Sequence, residues 1–187
     1  WDEEPGTING HLYQQNTMRD AFVAALTLNV FHKYTDRIRM TNIAQIVNVL
    51  QSMILTNGPK MLLTPTYHVF QMYNVHQDAT FLPMAKVRGG REVPMISASA
   101  SEDKNGRIHI SLANVDVDNA QDITLDLQGR QIKSVKGRIL TSASINDHNT
   151  FEKPDAVKPT VFNGAKIEKG QLKVNLPAKS IVVLEVK

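Results

Sequence analysis

The sequence predicts a mainly β protein, in which an antiparallel β-sandwich follows a shorter segment of alternating helix and strand. After about Asp78, short extended segments follow one another, separated by turn signals such as Asn105-Gly106 and Lys169-Gly170. Before Asp78, apolar residues recur first at helical spacing and then in a continuous run short enough for one buried strand. These two patterns predict different architectures for the two parts of the chain.

The first helix is predicted within residues Tyr13 to Tyr34. Thr17 and Asp20 have the spacing of a capping box, which satisfies free amides at the start of a helix, although Gln14 and Gln15 could extend the helix towards the N-terminus. The apolar residues that follow form a wide arc, which includes Val23 and Val30. We therefore expect this helix to be covered on more than one side.

The segment from Arg37 to Ala44 is rich in apolar and β-branched residues, which predicts a buried strand that runs into a turn of helix. The amides Asn42, Gln45 and Asn48 interrupt this apolar stretch. A buried amide is costly unless its donors and acceptors are paired, so each is either a structural group or a ligand contact. For Asn42 and Asn48 a structural role is favoured, because amides at strand ends often cap the backbone. For Gln45 both roles stay open.

Thr64 and Pro65 predict the start of a second helix, preceded by a turn at Asn57-Gly58-Pro59 and a short extended piece from Met61 to Leu63. The order helix, strand, helix is typical of a parallel α/β fold. A parallel strand needs parallel neighbours, and this chain supplies too few of them. We therefore expect residues 1–77 to be the last part of an α/β barrel and residues 78–187 to be the sandwich domain.

The predicted strands of the sandwich alternate apolar and polar residues, as in Ile108, Ile110 and Leu112, which places one face in a core and the other in water. The loop from Asn146 to Pro159 has no periodic pattern and is predicted to be an ordered excursion over one end of the sandwich. The extended segments are Phe81–Val87, Met95–Ala100, Ile108–Val115, Ile123–Leu127, Gly137–Ala143, Ala165–Ile167 and Leu172–Val186.

The composition excludes several classes of site. The chain has no cysteine, which rules out disulfides, thiolate metal sites and a cysteine nucleophile. Its net charge of +3 is spread along the sequence without a long basic run, so nucleic acid is not an expected partner. No apolar run approaches the length of a membrane span and nothing near Trp1 resembles a signal peptide, so no membrane partner is expected.

The familiar catalytic motifs are also missing. The six histidines show no metal-ligand spacing, and no GxSxG, GxGxxG or phosphate loop occurs, so we expect neither a metal nor a cofactor. His68 and His76 lie two turns apart on the second helix and are predicted to pack or to be partly exposed. The acidic cluster Asp2, Glu3 and Glu4 lies in a Gly/Pro-rich loop and is predicted to be a solvated surface.

Four runs carry a family resemblance: LYQQNTMRDAFVAALTLNVFHKYTDRIRMTNIAQIVNVLQ from Leu12, LTPTYHVFQMYNVHQDA from Leu63, NDHNTFEKPDAVKP from Asn146 and LPAKSIVVLEV from Leu176. Together they resemble the carboxy-terminal part of the α-L-arabinofuranosidases of glycoside hydrolase family 51, in the same order and over nearly the whole chain. The resemblance implies a (β/α)8 barrel that carries the active site and a jelly-roll-like β-sandwich packed on it. It also implies retaining hydrolysis of terminal arabinofuranosyl groups from arabinan and arabinoxylan by two glutamates.

The same resemblance implies where the site residues lie. The nucleophilic glutamate of the family precedes the position of Trp1 and the acid/base glutamate lies far earlier, so this chain is expected to hold no catalytic residue and to be inactive alone. Glu3 and Glu4 match the loop after the seventh barrel strand and do not replace them. Gln45 matches a glutamine that reaches the bound sugar, and Trp1 falls near an aromatic that walls the pocket. Gln45 and Trp1 are therefore the predicted substrate-binding residues.

A second interpretation is a non-catalytic carbohydrate-binding or interaction module, since a sandwich is the usual scaffold of such modules. A sugar-binding sandwich normally exposes two or three aromatic side chains on one face. This one contains only Phe81, Phe151 and Phe162, which favours a packing role. The first helix and strand are expected to lack neighbours, and the apolar surface this leaves predicts a homo-oligomer or a rearrangement that buries this surface.

Overall fold

A computed structural model of the chain describes residues 16–43, 46–49, 51–85 and 95–187. These residues form two α-helices, a 3₁₀ turn at Asn74–His76 and eleven strands. The helices are α1 (Met18–His32) and α2 (Pro65–Tyr73). The strands are β1 (Ile54–Asn57), β2 (Lys60–Leu63), β3 (Thr80–Leu82), β4 (Ile96–Glu102), β5 (Ile108–Asn114), β6 (Gln121–Leu125), β7 (Val135–Thr141), β8 (Thr160–Val161), β9 (Ala165–Glu168), β10 (Gln171–Leu176) and β11 (Ser180–Val186).

Two antiparallel sheets form the predicted sandwich. The larger sheet has six strands in the order β3-β4-β5-β11-β7-β8, and the smaller has three in the order β6-β10-β9. Apolar side chains of both sheets meet in one core, which includes Leu112, Leu184 and Leu172. Lys169 and Gly170 join β9 to β10 with φ angles of 51° and 79°, as a two-residue hairpin turn requires. The antiparallel sandwich is therefore confirmed.

The central strands of the larger sheet are buried on both faces, which the alternating pattern did not predict. Every residue of β5 is buried. Ile110 and Leu112 face the sandwich core, whereas the alternate residues lie under the helices, with Ala113 in a second core shared with α1 and α2. The prediction that the other face meets water was wrong for β5, because two helices cover it. It holds for β6, where Asp122 is exposed.

Both helices begin where their capping residues predict. The Thr17 backbone N–H donates to Oδ2 of Asp20 at 2.8 Å, which completes the capping box of α1. Thr64 Oγ1 accepts from the Tyr67 backbone N–H at 3.3 Å, with Pro65 as the first residue of α2. The local signals at these two helix starts are therefore confirmed.

The predicted buried strand from Arg37 to Ala44 is not formed in the part of this segment that the structure describes. Residues 38–43 belong to no sheet and are mostly exposed, and Ala44 lies outside the described residues. A lone strand cannot pair its backbone groups without neighbours, and none of the described residues pairs with it. The predicted turn of helix after it was also wrong, since Ile54–Asn57 pairs with Lys60–Leu63 in a hairpin. The turn at Asn57-Gly58-Pro59 that joins them was predicted correctly.

One face of α1 has no covering layer among the residues that the structure describes. Val23 is 58% exposed and Val30 is 47% exposed, although both belong to the apolar arc that predicted cover on more than one side. The opposite face, with Met18, Ala21 and Ala25, packs into the second core against the larger sheet. The helix is thus half covered.

The loop from Asn146 to Pro159 is ordered, as predicted, and it connects α1 and β2 to the sandwich. The first amides of α1 have no partner within the helix, and here Met18 N–H donates to the Asp147 carbonyl at 2.9 Å. Asn149 Nδ2 donates to the carbonyl of Leu63 at 2.8 Å and to that of Val157 at 2.9 Å. Backbone groups of two distant segments are therefore satisfied by this loop.

Candidate functional site

The two predicted substrate-binding residues, Trp1 and Gln45, lie outside the described residues, as do Asp2, Glu3 and Glu4. The structure describes the chain directly after Gln45, at residues 46–49 and 51–53, which we call the clamped segment. It also describes the start of α1, with which this segment is in contact. The hydrogen bonds of these groups show how the chain next to Gln45 is held in place.

Asp20 joins the clamped segment to α1. Its Oδ2 accepts from the Thr17 backbone N–H, while its Oδ1 accepts from Gln51 Nε2 at 2.7 Å. The carboxyl group is buried, and both of its oxygens are used. Asp20 therefore acts as an anchor and not as a free acid. The sequence predicted its capping role but not its contact with Gln51, because nothing local links residues so far apart in the chain.

The clamped segment adopts backbone angles that are uncommon outside glycine. Asn48 and Gln51 have φ angles of 56° and 58°. Asn48 Oδ1 accepts from the Thr56 backbone N–H at 2.7 Å, and Thr64 Oγ1 donates to the Ser52 carbonyl at 2.9 Å. The structural role predicted for Asn48 is thus confirmed. An amide within the predicted buried strand would itself be buried. Asn42 is instead exposed, because that strand is not formed.

No pair of buried carboxylates among the residues that the structure describes is available for catalysis. Their buried carboxylates are Asp20 and Asp116, which lie on different elements. Asp116 Oδ1 accepts the backbone N–H groups of Asp118 and Asn119 at 3.0 Å each, so it holds the turn after β5. A retaining glycosidase places its two carboxyl groups about 5–5.5 Å apart with a substrate between them. Neither buried group is free for that chemistry.

Asp103, in the turn between β4 and β5, is held in its charged form. Hydrogen bonds from the Arg107 and Asn105 backbone N–H groups, at 3.0 Å and 2.8 Å, lower the pKa of this carboxyl to about 2, with a further contribution from His109. A general acid of a glycosidase needs the opposite shift. Asp103 is therefore a turn residue.

The histidines on and after α2 are packing residues, as predicted. His68 and His76 are both buried, and burial lowers the pKa of each. Within the described ranges, no group of three or more histidine and carboxylate side chains is placed to hold a metal ion.

The sandwich offers no aromatic platform in its described part. Phe162 is buried in the core, and Phe81 and Phe151 are half-buried. Phe162 is also tightly enclosed, because a Cβ atom added at Gly164 would lie 2.6 Å from its Cζ. Sugar-binding faces use exposed rings, so the carbohydrate-binding interpretation gains no support from these residues.

A cleft of about 430 Å³ lies at one end of the sandwich, between the β4–β5 turn and the chain that enters β7. Arg107 and Arg130 line it. Arg130 donates to both carboxylate oxygens of Glu102, at 2.8 Å and 2.7 Å, and Arg107 lies 3.5 Å from Glu185. Its arginines are therefore engaged within the chain. None of the helices that the structure describes has the length and apolar character needed to cross a membrane.

Comparison with known proteins places nearly the whole chain in one family. The α-L-arabinofuranosidase C-terminal domain family matches residues 1–180. The chain is 64% identical, over 191 aligned positions, to a protein of Bacteroides ovatus named intracellular exo-alpha-L-arabinofuranosidase, covering 99% of this chain and 37% of that protein. It is 28% identical to an intracellular exo-alpha-(1->5)-L-arabinofuranosidase of Bifidobacterium longum, covering 97% of this chain and 35% of that protein.

Solved structures agree with this assignment. The crystal structure of the family 51 arabinofuranosidase from Xanthomonas axonopodis pv. citri superposes with a TM-score of 0.91 at 44% identity, covering 99% of this chain and 38% of that one. An arabinofuranosidase from Thermotoga maritima, solved as an arabinose complex, superposes with a TM-score of 0.79 at 21% identity, over 96% of this chain and 40% of that one, and shows the shared fold. The chain thus spans well under half the length of these relatives. It belongs to the family of α-L-arabinofuranosidase C-terminal domains and corresponds to the C-terminal part of glycoside hydrolase family 51 enzymes.

Proposed function

We propose that this chain is the C-terminal part of a retaining α-L-arabinofuranosidase that removes terminal arabinofuranosyl groups from the side chains of arabinan and arabinoxylan. The observation that carries the proposal is the 64% identity, over 99% of the chain, to an exo-alpha-L-arabinofuranosidase. Because the chain spans 37% of that relative, the two catalytic glutamates are expected in the remainder of the protein. The chain contributes support and substrate contacts, but not the reacting carboxylates.

In this proposal, residues 1–77 form the last part of the catalytic barrel and residues 78–187 form the sandwich. The half-covered helix α1 supports it, because Val23 and Val30 lie on a face that earlier barrel elements would cover. The unpaired residues 38–43 also support it, since a barrel strand whose neighbours lie in the rest of the protein would have no pairing partner here. The loop from Asn146 to Pro159 would then hold this end of the barrel on the sandwich.

Gln45 is the proposed sugar contact, and Trp1 is proposed to help wall the pocket. The clamped segment supports the first assignment, because it is fixed directly after Gln45 by the bond from Gln51 to Asp20 and by the contacts of Asn48. A ligand contact must be held within a fraction of an ångström to be useful. Anchoring the chain on the C-terminal side of Gln45 would restrict where its amide can point.

The complete protein should hydrolyse an aryl α-L-arabinofuranoside and leave an aryl β-D-xylopyranoside largely intact. Proton NMR of the first product should show the anomeric configuration of the substrate, because a retaining enzyme works through a covalent intermediate. Absence of turnover, or a first product with inverted configuration, would contradict the proposal. The xylopyranoside serves as the control for a contaminating glycosidase.

We also propose that the isolated chain, in which this face of α1 lacks the rest of the barrel, self-associates into a homo-oligomer. Exposed apolar side chains gather on α1 and after it, with Val23 at 58%, Val30 at 47% and Met40 at 75% exposure, which favours burial against another surface. Light scattering over a concentration series should show a rising mass. The V23S/V30S double variant should shift this association to higher concentration. A strict monomer at every concentration would contradict the expectation.

A further inference from the structure

Three histidines lie together between the helices and the larger sheet, in a place that the proposed catalysis does not use. His32 is the last residue of α1, His76 ends the 3₁₀ turn after α2, and His109 lies on β5. The ring centroids of His32 and His76 are 4.6 Å apart, and those of His76 and His109 are 6.4 Å apart. The three rings thus form one cluster, which we call the histidine cluster.

Serine hydroxyl groups of the sheet bind two of these rings. His76 contacts Ser101 Oγ through Nδ1 at 2.7 Å and Ser111 Oγ through Nε2. His32 contacts Ser99 Oγ through Nδ1 at 3.0 Å. Ser99 and Ser101 lie on β4 and Ser111 on β5, and all three are buried. Helical residues are therefore attached to the sheet through polar contacts, to which Asn29 of α1 adds a hydrogen bond from Nδ2 to Ser97 Oγ at 3.1 Å.

The groups that face His76 from each packed element are neutral or potentially positive. The α1 helix contributes His32, α2 contributes the Tyr73 ring at a centroid distance of 5.7 Å, and β4 contributes Ser101. Strand β5 contributes Ser111 and His109. The nearby carboxylate, Asp103, contacts His109 Nε2 at 3.1 Å and does not bind His76. Protonated His76 would therefore be a buried cation between two other histidines.

Desolvation and these neighbours both oppose the charged form of His76. Burial, followed by the charges of His32 and His109, lowers the pKa of His76 from 6.5 to about 3. Burial also lowers the pKa of His32. Burial raises the pKa of Tyr73, whose hydroxyl faces Ser111 and Asn29, so Tyr73 stays neutral and supplies no compensating charge. The packed interface thus holds His76 as a neutral ring.

We propose that the histidine cluster is an acid-sensitive attachment: the helix pair is held on the sandwich while His76 is neutral and is released when His76 takes up a proton. The direction of the pH effect follows from the thermodynamic linkage between protonation and folding. A histidine whose pKa is lowered by folding contributes its full stability above its ordinary value of 6.5, and that stability falls as pH drops toward the folded value of about 3. The sensitive range is therefore pH 6.5 to 3.

Amide hydrogen exchange on the 187-residue chain at pH 7.5 and pH 4.5 tests the proposal. After correction for intrinsic exchange rates, the opening constant of α1 and α2 should rise by about a hundredfold between the two pH values, as one histidine with these pKa values predicts. The smaller sheet, β6-β10-β9, should lose much less protection, since the cluster does not touch it. An equal loss of exchange protection in the helices and in the smaller sheet would overturn the proposal.

His76→Gln is the decisive variant, because its amide can still bind a serine but cannot take up a proton. Between pH 7.5 and pH 4.5, the opening constant of α1 and α2 should change at least tenfold less in this variant than in the unmodified chain. His148→Gln is the matched control, since His148 lies outside the cluster and contacts the Asn146 carbonyl. If His76→Gln does not fold, the NMR titration of the His76 ring in the unmodified chain decides: titration near pH 6.5 in the folded state would refute the proposal, and a ring neutral down to pH 4.5 would support it.

Discussion

The isolated 187-residue chain should release no detectable aryl alcohol from an aryl α-L-arabinofuranoside. Retaining hydrolysis needs one carboxyl group to protonate the leaving group and a second to capture the sugar. The buried carboxylates of the described residues, Asp20 and Asp116, are instead bound to backbone and amide groups. Enzymes of this kind accelerate their reactions by at least about a millionfold, and without the pair nearly all of this is lost. A fluorogenic arabinofuranoside gives the sensitivity needed.

A trace of contaminating enzyme is the main alternative explanation for any signal in that assay. The E3Q/E4Q double variant, purified in the same way, separates the two sources. Turnover that co-purifies with the chain and disappears in this variant would mean that Glu3 or Glu4 performs the chemistry, and the proposed division of the protein would be wrong. Turnover that is equal in both preparations would come from the host.

Gln45→Ala in the complete protein should lower kcat/KM by roughly ten- to a few hundredfold, with little change in the thermal midpoint. In the proposed site, the amide of Gln45 donates to one sugar oxygen and accepts from a hydroxyl. A neutral hydrogen bond is worth on the order of 0.5–1.5 kcal/mol, and more where the bond strengthens in the transition state. Steady-state kinetics and a melting curve on the same preparation measure both quantities.

Gln51→Ala is the matched control for Gln45→Ala, because it changes a glutamine of the same chain segment whose partner is known. Gln51 Nε2 donates to Asp20, and loss of this bond to a buried carboxylate should cost about 1.5–3 kcal/mol of stability. Its thermal midpoint should therefore fall. If Gln45→Ala also shows a lowered thermal midpoint with normal kinetics, Gln45 is a structural amide and does not bind the substrate.

The fold was predicted most accurately where residues close in sequence determine the backbone conformation. Thr17 with Asp20 and Thr64 with Pro65 mark helix starts that the structure reproduces, because a capping side chain and the amide it satisfies are only three residues apart. Lys169-Gly170 likewise marks a tight hairpin, since glycine readily adopts the positive φ angle that such a turn needs. The short strands β1 and β8 were missed, because pairing with a neighbour, rather than composition, makes them strands.

The candidate site could be predicted less completely. The family resemblance selects Gln45 and Trp1, and no described contact tests either residue. The supporting bond between Gln51 and Asp20 could not be read from the sequence, because it joins two polar residues that are distant in the chain and have no shared periodicity. The histidine cluster was hidden for the same reason, since His32, His76 and His109 lie on separate elements.

By itself, the sequence determined the antiparallel sandwich, the two helix starts, the absence of thiol chemistry and the family, because turn residues, capping pairs and long matching runs are local or linear features. Only the tertiary structure decided that β5 is buried on both faces and that residues 38–43 remain unpaired. Whether an apolar segment becomes a strand depends on the partners that reach it. The same alternation of apolar residues meets water in β6 and two helices in β5, so the alternation alone does not distinguish these outcomes.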